Sequence, residues 1–251
     1  MRLKTALTKK GILVVLVSLI FLLINLGAIS SGGRRRAKRI LCLTNLKQLT
    51  LAWTDYAEDN DGKLVNGDTG EYPHLHVDET PWVQKDWSIM GSIPLTGKEQ
   101  AIREGALFPY CMDIKLYKCP VGVRGELRSY SVVDAMNAIG LDGGTMLKHM
   151  AEIHKPHDRA VFVDENGVTV MGAWSIHYSR PAWWDEPPVH HGDGGAWSFA
   201  DGHSEYWKWQ DPLTHTYNAT NEMIWKHVDF PSSLDIPRVQ RAVWGELGYT
   251  P

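Results

Sequence analysis

Cysteine is scarce in this sequence, and its spacing excludes several familiar sites. Only three cysteines occur among the 251 residues: Cys42, Cys111 and Cys119. No two of them have the Cys-x-x-Cys spacing of zinc ribbons or thioredoxin-type redox sites. In an oxidising compartment two of the three could pair, although the spacing does not tell which two. The candidate disulfide is Cys42 with Cys119, and unpaired core thiols are the alternative.

The sequence motifs of common enzyme classes are missing too. The chain has no G-x-S-x-G elbow, no phosphate-binding loop and no dinucleotide fingerprint. Ser198 could be imagined in a triad with His191 and Asp201, but nothing near this mid-strand serine would activate it. Asp164 and Glu165 would act as a hydrolase pair only with a partner at a suitable separation, which a sequence does not reveal. We therefore predict that the protein is not an enzyme.

Acidic residues are absent from the first 39 positions, which hold nine basic residues. The rest of the chain has 17 basic and 29 acidic residues. Nucleic-acid binding depends on basic side chains that neutralise phosphates, so an acidic domain is a poor candidate for it. We predict no nucleic-acid partner.

Charge of either sign is missing from residues 11–33, and the run 12–29 is almost wholly apolar. About 18–20 apolar residues suffice for a helix that crosses a bilayer, and this run lacks the polar face of a core helix. We predict a transmembrane helix over 11–31, after a basic N-terminus at 1–10. The alternative is a cleaved secretory signal, whose apolar region of about 7–15 residues would be shorter. Basic residues flank the run on both sides, so the charges leave its orientation undecided.

A second helical pattern extends from Arg34 to Asp59. Apolar residues recur there every three or four positions, which predicts an amphipathic helix. They are Ile40, Leu43, Leu46, Leu49, Trp53 and Tyr56. The sequence Asn60-Asp61-Gly62 is typical of a helix end followed by a turn. We predict an amphipathic spine helix over 32–62, nearly continuous with the apolar segment before it.

The segment 63–210 is rich in turn and strand residues. The chain has eleven tryptophans and 23 glycines, a mixture typical of a β-rich domain. Apolar and β-branched residues predict strands over Ser129–Val133 and Arg159–Asp164. The segment 211–251 is polar and is predicted to be irregular. The predicted fold class is α+β: a long N-terminal helix, with a transmembrane half and an amphipathic half, packed on an antiparallel β-sheet head.

A hairpin is predicted around Asp201-Gly202, which lies between two runs of alternating residues. Asp-Gly is the preferred pair for a two-residue type I′ turn. That turn would place Trp197 opposite Tyr206 and Phe199 on the same face as both.

Several segments of the chain together carry a family resemblance. They are the basic start with its apolar run, the segments 39–49 and 56–62, and His191 followed after nine residues by Asp201-Gly202. In this combination the chain resembles type IV pilin-like proteins. It is most similar to the subgroup described as prepilin-type processing-associated, which is named for a His, nine residues, then Asp-Gly. Further landmarks of that subgroup are Leu116–Pro120, Arg128–Ser131 and Val161–Glu165.

The resemblance implies a pilin-like fold and a single-pass protein of the bacterial cytoplasmic membrane. The N-terminus would lie inside, and the head outside, in the periplasm or on the cell surface. The implied partners are the lipid bilayer and other pilin-like subunits or secretion-system components. Prepilin-type cleavage would occur between Gly11 and Ile12. Prepilins have a glutamate that aids assembly where this chain has Leu16, so that carboxylate is missing here.

One group of side chains suggests a metal site. Asp164, Glu165, His191 and Asp201 are candidate calcium ligands, since carboxylates at strand ends and turns bind this ion. The related pseudopilins of type II secretion bind calcium, which supports calcium as the cofactor. Histidines would favour zinc-like metals instead, but their spacing here matches no standard zinc signature. The alternative is that Asp201 is a turn residue, His191 a hydrogen-bonded loop residue and Asp164 a strand-end cap.

The resulting functional hypothesis is a membrane-anchored, pseudopilin-like structural or interaction protein. It would take part in a type II secretion or type IV pilus-like assembly. The alternative is a membrane-tethered carbohydrate- or protein-binding domain that does not form filaments. In that case Trp174, Trp183, Trp184 and Trp197 would stack on the ligand.

Overall fold

The computed structural model describes residues 8–86, 93–165, 172–217 and 227–250, with the backbone alone for 25–31, 216 and 217. The α-helices are α1 (Lys9–Asp59), α2 (Leu95–Arg103), α3 (Phe108–Cys111), α4 (Pro212–Tyr217) and α5 (Ile236–Trp244). The strands are β1 (Tyr130–Val133), β2 (Ala160–Asp164), β3 (Ala173–Trp174), β4 (Gly194–Phe199) and β5 (Ser204–Lys208). Short 3₁₀ helices occupy Ile114–Tyr117, Leu141–Gly143, Met150–Glu152 and Pro156–Asp158.

Helix α1 is 51 residues long and has two distinct halves. In the C-terminal half, Leu46, Leu49 and Trp53 are fully buried, as the three- and four-residue spacing predicts. This half packs against β2, β4 and β5. The helix ends at Asp59, as predicted, because Gly62 adopts a left-handed φ of 80° and donates its N–H to the Ala57 carbonyl at 2.7 Å.

The prediction of a transmembrane helix over 11–31 is wrong. Among the described residues, no helix combines the length and the apolar character needed to cross a membrane. The predicted transmembrane half of the fold and the single-pass location in a bacterial cytoplasmic membrane are corrected accordingly.

The sheet has five strands in the order β3-β1-β2-β4-β5. It is mixed rather than antiparallel as predicted, because β1 and β3 run parallel. Strand β2 lies antiparallel to β1, and the chain then reverses direction and returns to the far side of β1. Strand β3 therefore runs opposite to β2 and in the same direction as β1. Every residue of β4 is buried, so the sheet is covered on both faces there.

The hairpin between β4 and β5 differs from the prediction by one residue. Trp197 pairs with Glu205 and Ser198 with Ser204, whereas the predicted turn places Trp197 opposite Tyr206. The N–H of Phe199 bonds to the carbonyl of His203, which leaves a three-residue loop. Gly202 provides the left-handed residue of this loop, with a φ of 89°. A three-residue loop with glycine in that position is the next most common hairpin after the two-residue type.

The C-terminal region is more regular than predicted. Helix α5 packs against β2, and its Ile236, Val239 and Val243 are fully buried. Their spacing of three and four residues forms one apolar stripe along the helix. Helix α5 therefore belongs to the core of the head.

Candidate functional site

A compact group of metal-binding side chains lies where α1 meets the sheet. Cys42 comes from α1, Cys119 from the loop after the first 3₁₀ helix, Asp164 from the end of β2, and His191 from the loop before β4. One ligand atom from each of these four residues lies within 4.8 Å of every other one. Four separate parts of the chain thus meet at one point, which we call the Cys–Asp–His cluster.

Asp164 lies at the centre of this cluster and is fully buried. Its Oδ2 accepts a hydrogen bond from the Cys42 thiol at 3.2 Å, and its Oδ1 accepts one from Ser129 Oγ at 3.4 Å. His190 Nδ1 lies 2.9 Å from Oδ2, although it makes no hydrogen bond there. Burial raises the pKa of Asp164 to about 6, despite the opposing effect of His190.

Cys119 and His191 form the other side of the cluster. The Sγ of Cys119 lies 3.1 Å from His191 Nε2, and it accepts the N–H of Val121 at 3.5 Å. His191 has a φ of 61°, in the left-handed region that few residues other than glycine adopt. This backbone conformation turns the chain before β4. His191 Nδ1 is buried and has no hydrogen-bond partner among the residues that the structure describes.

The two thiols of the cluster differ in their electrostatic surroundings. The proximity of Cys42 and of the two histidines lowers the pKa of Cys119. Burial raises the pKa of Cys42. For His190, burial opposes the charged form, but Asp164 and Cys119 together outweigh it and raise the pKa to about 10. The cluster thus favours a thiolate at Cys119 and a cationic imidazole at His190.

The structure brings two of the four predicted calcium ligands together and separates the other two. Asp164 and His191 share the cluster, whereas Glu165 accepts a hydrogen bond from Ser131 Oγ. Asp201 lies in the hairpin loop, where it accepts the His203 N–H at 3.1 Å. The four predicted residues therefore do not form a common calcium site.

The nine residues between His191 and Asp201 have a simple structural role. They contain β4, which leads from the cluster at one end to the Asp201-Gly202 loop at the other. The His to Asp-Gly motif thus combines one residue of the cluster with one hairpin turn.

The predicted cleavage position lies inside regular structure. Gly11 and Ile12 belong to the first turns of α1, and Thr8 Oγ1 accepts the Gly11 N–H at 3.3 Å as an N-cap. Leu16 lies one turn further along and is 51% exposed.

All three cysteines are free in the structure. Cys42 and Cys119 are neighbours, as the predicted disulfide requires. Cys111 lies elsewhere and forms a hydrogen bond with the Tyr117 hydroxyl. Their grouping with Asp164 and His191 was not predicted, because no short spacing links the four positions. A usable signal was nevertheless present. Each of the four residues lies in a segment that carries the family resemblance.

Comparison with models of protein families, with curated proteins and with solved structures found no match for this chain. The resemblance to pilin-like proteins therefore stays a prediction.

Glu165 faces a second group of carboxylates, which contains Asp185, Asp134 and Glu186. Loss of solvent raises the pKa of Asp185 to about 7, and its negative neighbours add to the effect. The Asp185 carboxylate also accepts the N–H of Ser175 at 2.6 Å. The folded state holds the Asp185 proton more tightly than the unfolded chain does, so this group makes stability fall as the pH rises from about 4 to about 7.

We expect Asp185→Asn to stabilise the protein at high pH. An asparagine keeps an acceptor for the Ser175 N–H but never becomes charged. Its advantage in melting temperature over the wild type should increase by at least about 2 °C between pH 4 and pH 8, the effect of ~1 kcal/mol. Thermal denaturation of both proteins at several pH values measures this difference. A difference that does not change with pH would contradict the prediction.

Proposed function

We propose that this chain is a pilin-like structural protein that assembles with similar subunits through the exposed half of α1. The observation that carries the proposal is the surface of that half. The large apolar side chains from Ile12 to Ile24 are 47–67% exposed. They surround the helix on all sides, and a helix that is apolar all round needs neighbours on several sides. Packing against equivalent helices of other subunits meets this need.

The other half of α1 supports the same proposal. It is buried in the head, and the helix continues without interruption from Lys9 to Asp59. At about 1.5 Å per residue such a helix is roughly 75 Å long. The head therefore holds one end of a stiff rod, and the other end projects with its apolar surface exposed. A spine helix attached to a globular head is the arrangement that the resemblance to pseudopilins implies.

We expect charge in the projecting half to prevent assembly. The test uses the full chain with Leu13→Glu and Val17→Glu combined, because each change would bury a carboxylate between apolar helices. Two differently tagged copies of the wild type should co-purify and elute as multimers in size-exclusion chromatography with light scattering. The double variant should lose at least 90% of the co-purified copy, an effect of ~1.4 kcal/mol or more.

Leu213→Glu is the matched control, since Leu213 is 51% exposed on α4 and lies in the head. This variant should assemble like the wild type. A monomeric wild type, or equal assembly of all three proteins, would show that α1 is not the assembly element. Mass spectrometry of the mature N-terminus adds a second result, because prepilin-type processing would leave a chain that begins at Ile12.

The alternative function, a carbohydrate- or protein-binding domain, requires exposed tryptophans, and most of those predicted to contact the ligand are buried. Of the tryptophans predicted to stack on a ligand, Trp174, Trp183 and Trp197 are at most 1% exposed, and only Trp184 is partly exposed. The first three pack on one another within the core. Assembly through α1 is therefore the function that the geometry supports better.

A further inference from the structure

We propose that Cys42, Cys119, Asp164 and His191 bind one zinc-class divalent metal ion, which fixes α1 to the sheet. The proposal does not depend on the assembly of the protein. It rests on the positions and the chemistry of the side chains in the Cys–Asp–His cluster.

The distances in the cluster fit tetrahedral coordination. Zinc bonds of about 2.0–2.3 Å to nitrogen, oxygen and sulfur place tetrahedral ligand atoms roughly 3.3–3.8 Å apart. Cys42 Sγ lies 3.2 Å from Asp164 Oδ2, and Cys119 Sγ lies 3.1 Å from His191 Nε2. His191 Nε2 is 3.7 Å from Asp164 Oδ2. Small shifts of the side chains would place all four atoms around one ion.

The donor atoms select the class of metal. Two sulfurs and an imidazole nitrogen favour zinc and similar transition metals, whereas calcium and magnesium take oxygen ligands. Two thiolates and one carboxylate carry three negative charges, and a divalent cation would neutralise most of them. Without a cation, such a group of acids is costly to bury.

Neighbouring groups donate hydrogen bonds to the ligands of the proposed site. Tyr130 Oη donates to Cys42 Sγ at 3.4 Å, the Val121 N–H donates to Cys119 Sγ, and Ser129 Oγ donates to Asp164. Hydrogen bonds of this kind orient ligands and stabilise thiolates. His190 Nδ1 lies 2.9 Å from Asp164 Oδ2 and borders the site on that side.

A cavity of about 520 Å³ borders the cluster at His191. Its other lining residues are Gly32, Arg35, Arg36, Arg39, Gly192 and Asp193. The cavity brings solvent close to the cluster, whereas the side chains of His191 and Asp164 are at most 1% exposed.

The bound metal would act as a cross-link between distant parts of the chain. It would connect α1, the loop at Cys119, the end of β2 and the loop before β4. Closing such long loops in the folded state stabilises the fold, because the unfolded chain does not hold the four ligands together.

The test begins with the wild-type full chain, purified under reducing conditions without chelator. We expect one zinc per chain by elemental analysis. Replacement by Co²⁺ should give the intense visible bands of a tetrahedral site and a thiolate-to-cobalt charge-transfer band. Calcium should cause neither a thermal shift nor a loss of zinc. These measurements need no variant, so they stand even if a substitution disturbs folding.

The variants Cys119→Ser and His191→Gln should lower zinc affinity by more than about 100-fold, because loss of a metal ligand costs more than loss of a residue that only contacts a ligand. Cys111→Ser is the matched control and should bind zinc like the wild type, since Cys111 lies outside the cluster. His190→Gln should keep one site per chain with an affinity about 10–100-fold lower, because His190 contacts the ligand Asp164 rather than the ion.

Three results would overturn the proposal. The first is reduced wild-type protein that takes up neither zinc nor cobalt. The second is equal metal binding by the Cys111→Ser and Cys119→Ser variants. The third is a Cys42–Cys119 disulfide, seen by mass spectrometry after alkylation, in a protein that still binds no metal once it is reduced.

Discussion

Replacement of Trp197 by alanine is expected to destabilise the head more than any other single truncation in β4. Trp197 is fully buried, and its ring centroid lies 5.4 Å from that of Trp174, 5.3 Å from Trp207 and 6.4 Å from Trp209. Removal of a large aromatic side chain from such a core costs about 3–5 kcal/mol, since the neighbours only partly fill the cavity. Typical domains have a total stability of only about 5–15 kcal/mol.

Urea denaturation, followed by circular dichroism, measures this loss. Trp184→Ala is the control, because Trp184 is partly exposed and packs on two histidine rings rather than on the tryptophan core. We expect Trp184→Ala to cost about 1 kcal/mol, the average effect of a point substitution. Equal losses for the two variants would show that the tryptophan core does not determine the stability of the head.

Features with a local origin could be predicted from the sequence. The end of α1 at Asp59 follows from Asn60-Asp61-Gly62, and β2 lies within the predicted strand Arg159–Asp164. The sequence predicts the hairpin at the correct position but with the wrong strand register. Two- and three-residue loops around Asp-Gly differ only in backbone dihedrals, and the packing of β5 decides between them.

Features that depend on long-range packing could not be predicted. The partner of Asp164 is a thiol on a helix that precedes it by more than a hundred residues, and no spacing rule connects them. Glu165 and Asp201 were grouped with Asp164 because carboxylates are common metal ligands. Successive residues of a strand point to opposite faces, however, so Asp164 and Glu165 are directed to different surroundings. The parallel pairing of β3 with β1 likewise depends on the path of the chain around the sheet.

The second large effect is expected at a buried ion pair near the edge of the core. Arg128 donates two hydrogen bonds to Asp86, from Nε at 2.8 Å and from Nη2 at 2.9 Å. The Arg128 side chain is 3% exposed and that of Asp86 is 6% exposed. Arg128 Nη1 also donates to the carbonyl of Tyr130, the first residue of β1, at 3.1 Å. The guanidinium therefore links the segment before α2 to the sheet.

Arg128→Ala should lower the free energy of unfolding by about 3–5 kcal/mol, because it leaves the Asp86 carboxylate buried without its partner. The double variant Arg128→Met with Asp86→Leu should recover much of this loss, since it removes both charges of the pair. Arg103→Ala is the matched control. Arg103 makes the same kind of pair with Glu99, but their side chains are 51% and 46% exposed, so we expect a cost of about 0–1 kcal/mol. If the double variant were as unstable as Arg128→Ala, the loss would come from the missing contacts of the guanidinium with β1 rather than from the stranded charge of Asp86.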